Sequence, residues 1–235
     1  MYRNKKVSIV FPVYNEEENI RHAIEDFFLH PMIDEVIAVD NNSSDKSAAE
    51  IKMTRAKYFL ETQQGYGAAI QRGMREATGD VIVTCEPDGT FAAVDVEKLL
   101  IYSDDFECVF GTRTSRSLIW SGANMGFFLR LGNWGVAKLL EYLFNGPSMT
   151  DVGCTFKLIS RAAYERINAQ FTVKGSHFSP EFMIRVLQGD VKCVEIPVHY
   201  KARIGESKIT GRTLPAVMLG LRMIGFILLT RLKSL

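Results

Sequence analysis

The chain has 235 residues, 47% of them hydrophobic, which is enough to bury the core of one large α/β domain or two small ones. Its 28 basic and 27 acidic residues give a formal net charge of +1, and this balance argues against a general nucleic-acid binder. The four cysteines are far apart and lack metal-ligand spacing, which predicts buried, reduced thiols in a cytosolic protein and no zinc site. The first apolar stretch, residues 7–11, is too short for the core of a signal peptide.

Strand and helix patterns alternate along the first half of the chain. Apolar runs predict strands at residues 7–11, 36–39, 81–84 and 108–110, with a further candidate at 57–60. Helix starts are predicted after Asn15 and near Asp45, Gly67 and Asp95, and the glutamates at 16–18 would stand at the positive end of the first helix dipole. This alternation predicts a mostly parallel sheet with helices on both faces.

Polar and glycine residues fill the loops after three of these strands, at residues 12–16, 40–45 and 64–69. In open α/β sheets ligands bind at the carboxyl edge, so these loops are candidates for a binding site. Taken singly, each signal is weak, because Asn-Asn-Ser-Ser is also ordinary turn sequence and Gly65-x-Gly67 is neither the full dinucleotide fingerprint nor a P-loop. The glycines would let the backbone approach a ligand or pack tightly against the sheet.

Two carboxylates, Glu86 and Asp88, follow the apolar run 81–84. One interpretation is a turn, since Pro87, Asp88 and Gly89 suit the second, third and fourth places of a type I turn. The other is a metal site, because carboxylates spaced i, i+2 on an extended chain point the same way and can hold Mg²⁺ or Mn²⁺. These residues alone leave both interpretations open.

Seven ordered stretches carry a resemblance to a known family. "SIVFPVYNEEENI", "VIAVDNNSSDKSA", "GYGAAIQRGMREATGDVIV" and "EPDGTF" resemble glycosyltransferase family 2, whose nucleotide-sugar domain has the GT-A fold. "FGTRTSR", "DVGCTFKLISRAAY" and "VEIPVHYKARIGESKIT" are similar to its polyprenyl-phosphate hexose synthase branch, which includes dolichol-phosphate mannose synthase. The resemblance covers about residues 7–210 and implies a GT-A-like α/β domain.

The resemblance implies a site for a nucleoside diphosphate sugar and a divalent metal, Mg²⁺ or Mn²⁺. The positions matching the family's nucleotide-sugar contacts are Pro12, Tyr14, Glu16, Asp40, Gly67 and Glu86. Glu86 and Asp88 match the metal-binding Asp-x-Asp motif, with Asp88 also expected to be catalytic. Two positions depart from the family pattern: Glu86 lengthens the first acidic arm by a methylene, and Asn41 replaces the second aspartate of the usual Asp-Asp-Gly-Ser run. An amide can donate where a carboxylate only accepts, so the base preference does not carry over.

The acceptor is expected to be a phosphate held by arginines. A phosphate monoester, with a second pKa of about 6, is largely dianionic at neutral pH and needs no general base. Arginine's planar fork suits phosphate oxygens, and the candidates are Arg113, Arg116 and Arg130, with Arg113 also catalytic. The alternative for each arginine is a solvated or carboxylate-paired side chain. If the acceptor is a hydroxyl instead, Asp151 or Glu181 would supply the base.

The loop at residues 200–210 is charged and contains glycine, a composition that is common in exposed loops. It resembles the family's mobile loop that closes over the diphosphate. By that resemblance Arg203 and Ser207 would contact the nucleotide sugar, and Lys208 would be catalytic.

The C-terminal stretch 214–229 is apolar except for Arg222, and residues 118–146 are rich in aromatics. The aromatics are either ordinary core or the lining of a lipid path, and the tail is either a buried helix or an interfacial one. A spanning helix needs about 20 apolar residues, so we expect a tail that binds the membrane surface rather than crossing it.

These observations predict one glycosyltransferase domain at 1–212, divided into a nucleotide-sugar and metal half at 1–112 and an acceptor half at 113–212. A membrane-contacting amphipathic tail follows at 213–235. The expected reaction is an inverting, metal-dependent hexose transfer from GDP-mannose or UDP-glucose to a polyprenyl phosphate, on the cytosolic face of a membrane. The alternatives are a glycosyltransferase with a hydroxyl acceptor on a glycan or protein, and a non-catalytic nucleotide-sugar-binding subunit.

Overall fold

A computed structural model describes residues 1–123, 126–204 and 213–234 of the chain. The first five strands are β1 Val7–Val13, β2 Glu35–Asp40, β3 Lys57–Leu60, β4 Val81–Thr84 and β5 Cys108–Thr112. They are followed by β6 Lys157–Ser160 and β7 Cys193–Pro197. The helices are α1 Ile20–Leu29, α2 Ser47–Lys52, α3 Tyr66–Glu76, α4 Asp95–Tyr102, α5 Phe127–Phe144, α6 Arg161–Ile167, α7 Phe178–Gln188 and α8 Thr213–Lys233. All five predicted strands are therefore confirmed.

The strands form a single sheet of order β3-β2-β1-β4-β6-β5-β7 within the described residues. β1 pairs in parallel with β2 and β4, β2 with β3, and β5 with β7. Strand β6 runs antiparallel between β4 and β5. The sheet is therefore mostly parallel, as predicted, while β6 and β7 were not predicted from the sequence.

Each face of the sheet is covered by helices. Alternate residues of β1 point to opposite faces, so Val10 packs into the cluster beneath α3, α5, α7 and α8, whereas Ile9 and Phe11 pack beneath α1, α2 and α4. Burial on both sides explains why the parallel strands read as continuous apolar runs. Three cysteine thiols, those of Cys85, Cys108 and Cys154, lie in these cores.

The prediction of a helix start after Asn15 is wrong, because α1 begins at Ile20. Asn15 has a left-handed backbone with φ +53°, and its side chain accepts the amide hydrogen of Ser44 over 2.8 Å. Glu17 likewise accepts the amide hydrogen of Lys46 at 2.8 Å. These side chains join two loops at the carboxyl edge instead of opening a helix. Helices α2, α3 and α4 begin at the positions predicted for them or within two residues of them.

Candidate active site

The candidate site lies at the carboxyl edge of the sheet, where the parallel strands β1, β2 and β4 end. The loop after β4 carries both predicted metal ligands. Asp88 is buried, and one of its oxygens accepts hydrogen bonds from the amide (3.0 Å) and the hydroxyl (2.6 Å) of Thr90. Gly89 follows with φ +77°, a left-handed conformation that glycine adopts without strain. The loop therefore bends back while holding Asp88 inward.

Glu86 is half-buried beside the buried Asp88, and the positive charges nearby do not fully offset the cost of ionising Glu86. Burial raises the pKa of Glu86 to about 8, and the neighbouring carboxylate of Asp88 adds to the rise. The positive charges of Arg203 and Arg113 act in the opposite direction without cancelling it. Such a pair of hard oxygen donors fits Mg²⁺ or Mn²⁺. The described ranges contain no group of three or more acidic, histidine or cysteine side chains placed to hold a metal. A cation held by two carboxylates keeps coordination positions open for substrate phosphates.

Arg203 links the two sides of the site. Its guanidinium lies 2.7 Å from the Glu16 carboxylate and 3.0 Å from the free oxygen of Asp88. The segment is fixed against the loop after β4, since Lys201 donates its amide hydrogen to Thr90 O and Ile204 donates to Asp88 O. A residue predicted to contact the nucleotide sugar thus stands beside the predicted metal ligands. The predicted Ser207 and Lys208 lie outside the described residues.

The predicted nucleotide positions Pro12, Tyr14, Glu16 and Asp40 come from the ends of β1 and β2 and meet at this edge. Asp40 is buried, and its carboxylate accepts from the Ser43 amide at 2.9 Å and the Tyr58 hydroxyl at 3.2 Å. These bonds fix the orientation of the Asp40 carboxylate.

Asn41, the departure from the family pattern, has a structural role. Its amide nitrogen donates to the carbonyl oxygens of Glu61 (2.9 Å) and Gln63 (2.8 Å), and its oxygen accepts from the Gly65 amide at 2.7 Å. It joins the loops after β2 and β3 to the start of α3. An aspartate could not donate to the two carbonyls, which explains the amide at this position.

Gly67 begins α3 in close contact with the segment before α7. A Cβ atom there would lie 2.5 Å from the carbonyl oxygen of Val173 and 2.8 Å from Cβ of Phe178, distances that packed atoms do not reach. Packing alone therefore requires glycine at this position. The sequence left open whether this glycine served a ligand or packing, and the structure establishes the packing.

Arg113 leaves the end of β5 and is held by Asp151. Its Nε lies 2.8 Å from Asp151 Oδ2 and its Nη2 lies 2.9 Å from Oδ1, while its backbone amide donates to Oδ2 at 2.9 Å. The guanidinium also lies over the Tyr200 ring, 5.2 Å from the centroid. Burial alone would raise the pKa of Asp151, but the Arg113 charge and hydrogen bonds outweigh it and hold that pKa below its ordinary value.

The two other predicted acceptor cations, Arg116 and Arg130, are exposed and partly exposed, and the described residues provide no ion pair for either. Arg116 lies in a short helix after β5, and Arg130 lies in the first turn of α5. Both are free to meet a ligand from solution.

The two candidate bases are already engaged. Glu181 is fully buried and accepts from the Thr172 amide (2.9 Å), the Thr172 hydroxyl (2.7 Å) and the Val173 amide (2.8 Å). Asp151 accepts from Arg113 and from the Gly153 amide at 3.1 Å. A general base needs an oxygen within reach of the substrate proton, and the internal hydrogen bonds occupy both carboxylates.

Helices α5 and α8 leave a broad apolar surface exposed. Its members, here called the α5/α8 surface, are Phe127, Phe128, Leu131, Trp134 and Tyr142 on α5 and Leu214, Val217, Met218, Leu221, Leu228, Leu229 and Leu232 on α8. α8 packs against α5 and α7 through the buried side chains of Met223 and Ile227.

The window Leu214–Lys233 has a mean hydropathy of 1.6 and is 17% buried. By length and composition alone it is sufficient to cross a membrane, a test that core helices of soluble proteins also pass. The helix runs for 21 residues, and the expectation that this tail binds a membrane surface rather than crossing it stays a prediction.

A mostly parallel sheet with a carboxylate pair at its carboxyl edge agrees with the predicted GT-A fold, and the comparisons show that the protein is a glycosyltransferase. Residues 8–167 match the profile of Glycosyl transferase family 2. This match covers more than half of the chain, and the protein belongs to that family.

Two relatives act on polyprenyl phosphates according to their names. The dolichyl-phosphate hexose transferase of Haloferax volcanii is 26% identical over 212 residues, covering 88% of each chain. The undecaprenyl-phosphate 4-deoxy-4-formamido-L-arabinose transferase of Enterobacter sp. (strain 638) is 30% identical over 216 residues, which cover 86% of this chain and 62% of that protein. The predicted polyprenyl-phosphate branch is thus confirmed at the level of similarity.

Solved structures share the fold. Glucosyl-3-phosphoglycerate synthase from Mycobacterium tuberculosis, in complex with Mn²⁺, UDP and glucosyl-3-phosphoglycerate, superposes with a TM-score of 0.72 at 18% identity, covering 97% of this chain and 80% of that one. The same enzyme with Mg²⁺ and UDP gives a TM-score of 0.70 at 18% identity, covering 97% of this chain and 79% of that one. At this identity the likeness concerns the fold alone.

Proposed function

We propose that this glycosyltransferase moves a hexose from a nucleoside diphosphate sugar to a polyprenyl phosphate, with inversion at the transferred carbon. The single observation that carries the proposal is the pairing at Arg113 and Asp151. The bidentate pairing occupies the Asp151 carboxylate, while three of the five N–H groups of Arg113 remain as donors to a phosphate. A lipid phosphate needs a cation to hold it and no base to deprotonate it.

We assign Glu86 and Asp88 as the residues that would hold Mg²⁺ or Mn²⁺. When bound, the cation would neutralise negative charge on the departing nucleoside diphosphate. The donor is held on the other side by the cluster of Pro12, Tyr14, Glu16 and Asp40, which orients the base and ribose. Arg203 then stands between the nucleotide and the metal ligands, where its charge can meet the diphosphate.

The acceptor phosphate, in this proposal, lies against Arg113, with Arg116 and Arg130 supplying further cations from the surface. An in-line approach of a phosphate oxygen to the sugar carbon forms the new bond as the bond to the nucleoside diphosphate breaks. Asp151 and Glu181 act as structural acids rather than bases, because their internal bonds occupy them.

We further propose that the α5/α8 surface lies against a membrane on its cytosolic side. Burying exposed aromatic and aliphatic side chains at the headgroup boundary stabilises such contact, and Arg222, Arg231 and Lys233 match anionic headgroups. In this proposal residues 1–112 bind the donor, residues 113–212 bind the acceptor and residues 213–235 contact the membrane. A lipid substrate requires an enzyme that works at a membrane surface.

The test is transfer of labelled sugar from GDP-mannose and from UDP-glucose to polyprenyl phosphate, with purified protein, detergent and Mn²⁺ or Mg²⁺. We expect label in the organic-extractable lipid from one donor, lost on chelation of the metal. Label that reaches only a glycan or protein hydroxyl would contradict the lipid acceptor. Nucleotide binding without turnover in any acceptor panel would indicate a binding subunit.

Membrane contact has its own test, sedimentation with anionic phospholipid vesicles. Phe128→Asp on α5 combined with Leu221→Asp on α8 places two charges in the apolar surface, and we expect binding to fall by about a hundredfold. The matched control is Leu29→Asp combined with Met53→Asp, which adds the same two charges at exposed apolar side chains outside α5 and α8. Equal vesicle binding by both variants would contradict the assignment of this surface.

A further inference from the structure

Glu195, on β7, makes a set of hydrogen bonds that no step above requires. Its carboxylate accepts from the Asp151 amide at 3.0 Å, from the Thr150 amide at 2.8 Å and from the Thr150 hydroxyl at 2.6 Å. β7 pairs with β5, the strand that Arg113 directly follows, and Glu195 stands opposite Phe110. The Glu195 carboxylate therefore holds the backbone of Thr150 and Asp151, and this backbone places the Asp151 side chain beside Arg113.

Three threonine hydroxyls extend this network around Arg113. The hydroxyl oxygens of Thr112, Thr114 and Thr150 lie 2.8 to 2.9 Å from one another. The Thr150 hydroxyl donates to Glu195, which leaves its oxygen to accept from the other two. The residues on both sides of Arg113 are thereby tied to the residue before Asp151.

The hydrogen bonds to Glu195 offset part of the free-energy cost of burying its charge. Burial raises the pKa of Glu195, and the nearby negative charge of Asp151 adds to the rise, while the bonds from Thr150 and Asp151 lower it. An apolar residue at this position would avoid the repulsion but would leave the donors of Thr150 and Asp151 without their acceptor. The carboxylate at this position is therefore explained by the donors that it orients.

We infer that Glu195 is a positioning residue, which orients the Arg113 guanidinium for the acceptor phosphate by holding Thr150 and Asp151 in place. The inference rests on the proposed function in that it takes Arg113 to meet the acceptor. Asp151 occupies two of the five guanidinium N–H groups, and the Tyr200 ring fixes the plane. The three N–H groups that remain are then held in fixed directions, which suits a phosphate that must be held in line with the sugar carbon.

The first test is kinetic, with Glu195→Ala, Glu195→Gln and a matched control, Glu107→Gln. Glu107 precedes β5 at the opposite end of the same strands, where its carboxylate pairs with Arg166. We expect Glu195→Ala to raise the KM for polyprenyl phosphate about tenfold while the KM for the nucleotide sugar changes less than about twofold. Glu195→Gln keeps an acceptor oxygen and should raise the acceptor KM by about threefold. Glu107→Gln should leave both unchanged.

An equal rise of both KM values, or no rise in either, would overturn the positioning role. If Glu195→Ala does not fold, the same comparison between Glu195→Gln and Glu107→Gln decides. Failure of the wild-type enzyme to glycosylate a lipid phosphate would instead count against the proposed function.

A second test needs no acceptor at all. The Arg113 Nε–H signal, assigned by its loss in Arg113→Lys, reports its bond to Asp151 through its exchange with solvent. We expect exchange at least about tenfold faster in Glu195→Gln than in the wild type or Glu107→Gln. Equal exchange rates in all three proteins would overturn the inference whatever the acceptor is.

Discussion

Buried acids at the two edges of the sheet behave in opposite ways. At the amino edge, Glu35 begins β2 and receives hydrogen bonds from Ser8, Lys57 and Thr78. Burial alone would raise the pKa of Glu35, but these bonds outweigh it and lower the pKa to about 2. At the carboxyl edge, burial and Asp88 raise the pKa of Glu86 to about 8. The charge of Glu35 is compensated by the chain and serves the scaffold, whereas the charge of Glu86 is less well compensated, which suits it to a ligand.

The largest effect expected from this comparison is at Asp88. Asp88→Ala removes a ligand of the proposed cation, and several kcal/mol of charge stabilisation corresponds to a loss of about a thousandfold or more in kcat. The measurement is hexose transfer at saturating donor, with circular dichroism to show that the fold is kept. Asp105→Ala, at an exposed turn, is the control. Full activity of Asp88→Ala would remove Asp88 from the site.

Substitution of Glu35 should have the opposite effect to Asp88→Ala, a loss of stability without a loss of activity. Its pKa falls from an ordinary 4.5 to about 2, which corresponds to about 3 kcal/mol of stability at neutral pH. Because the folded-state pKa is the lower one, this stability is present above pH 4.5 and is lost as the pH falls towards 2. We expect Glu35→Gln to unfold at lower denaturant at pH 7, with activity per folded molecule unchanged.

The pH dependence of the unfolding free energy distinguishes the loss of the Glu35 charge from a general destabilisation of the fold. The difference in the free energy of unfolding between wild type and Glu35→Gln should shrink as the pH falls from 4.5 towards 2. A difference that stays constant across this window would contradict the assignment. Urea unfolding at a series of pH values measures it.

Asp151 shares features with both Glu35 and Glu86. Its charge is compensated by Arg113, as that of Glu35 is by its partners, but it stands beside the candidate site, as Glu86 does. Asp151→Asn keeps the shape and removes the charge that pairs with Arg113. We expect both a stability loss of about 2 kcal/mol and a fall of about tenfold in kcat/KM for the acceptor. Stability and acceptor kinetics measured on the same sample check this. A loss of stability alone would make Asp151 a purely structural residue, and a loss of kcat/KM alone would make it purely a residue of the acceptor site.

The smallest effect concerns Arg203, whose ion pair partly neutralises Asp88. Arg203→Gln removes a cation next to the proposed metal ligands, so Mn²⁺ should bind about threefold more tightly to the nucleotide-free protein. Electron paramagnetic resonance of free Mn²⁺ measures this directly. Arg185→Gln, on α7, is the control. Weaker Mn²⁺ binding in Arg203→Gln would show that Arg203 supports the metal site instead of competing with it.

The sequence by itself determined the first half of the molecule. The apolar runs of β1 to β5 and the polar loops after them are local patterns, and the carboxyl edge of a parallel sheet brings such loops together wherever the strands form. The motifs of family 2 lie in these loops, which is why the family could be recognised, and Glu86 and Asp88 proposed as metal ligands, before any coordinates. The mistaken helix start after Asn15 is an exception, since its side chain bonds to a distant loop.

The arrangement of the second half of the chain was decided only by the tertiary structure. The insertion of the short antiparallel strand β6 between β4 and β5 follows from pairing between distant segments, which leaves no periodic signal in four residues. The pairing of Arg113 with Asp151 joins residues 38 apart, and that of Arg203 with Glu16 joins residues 187 apart. Whether a buried acid is satisfied or free depends on such partners. The sequence could therefore identify Asp151 and Glu181 as candidate bases, but only packing showed that their oxygens are already in use.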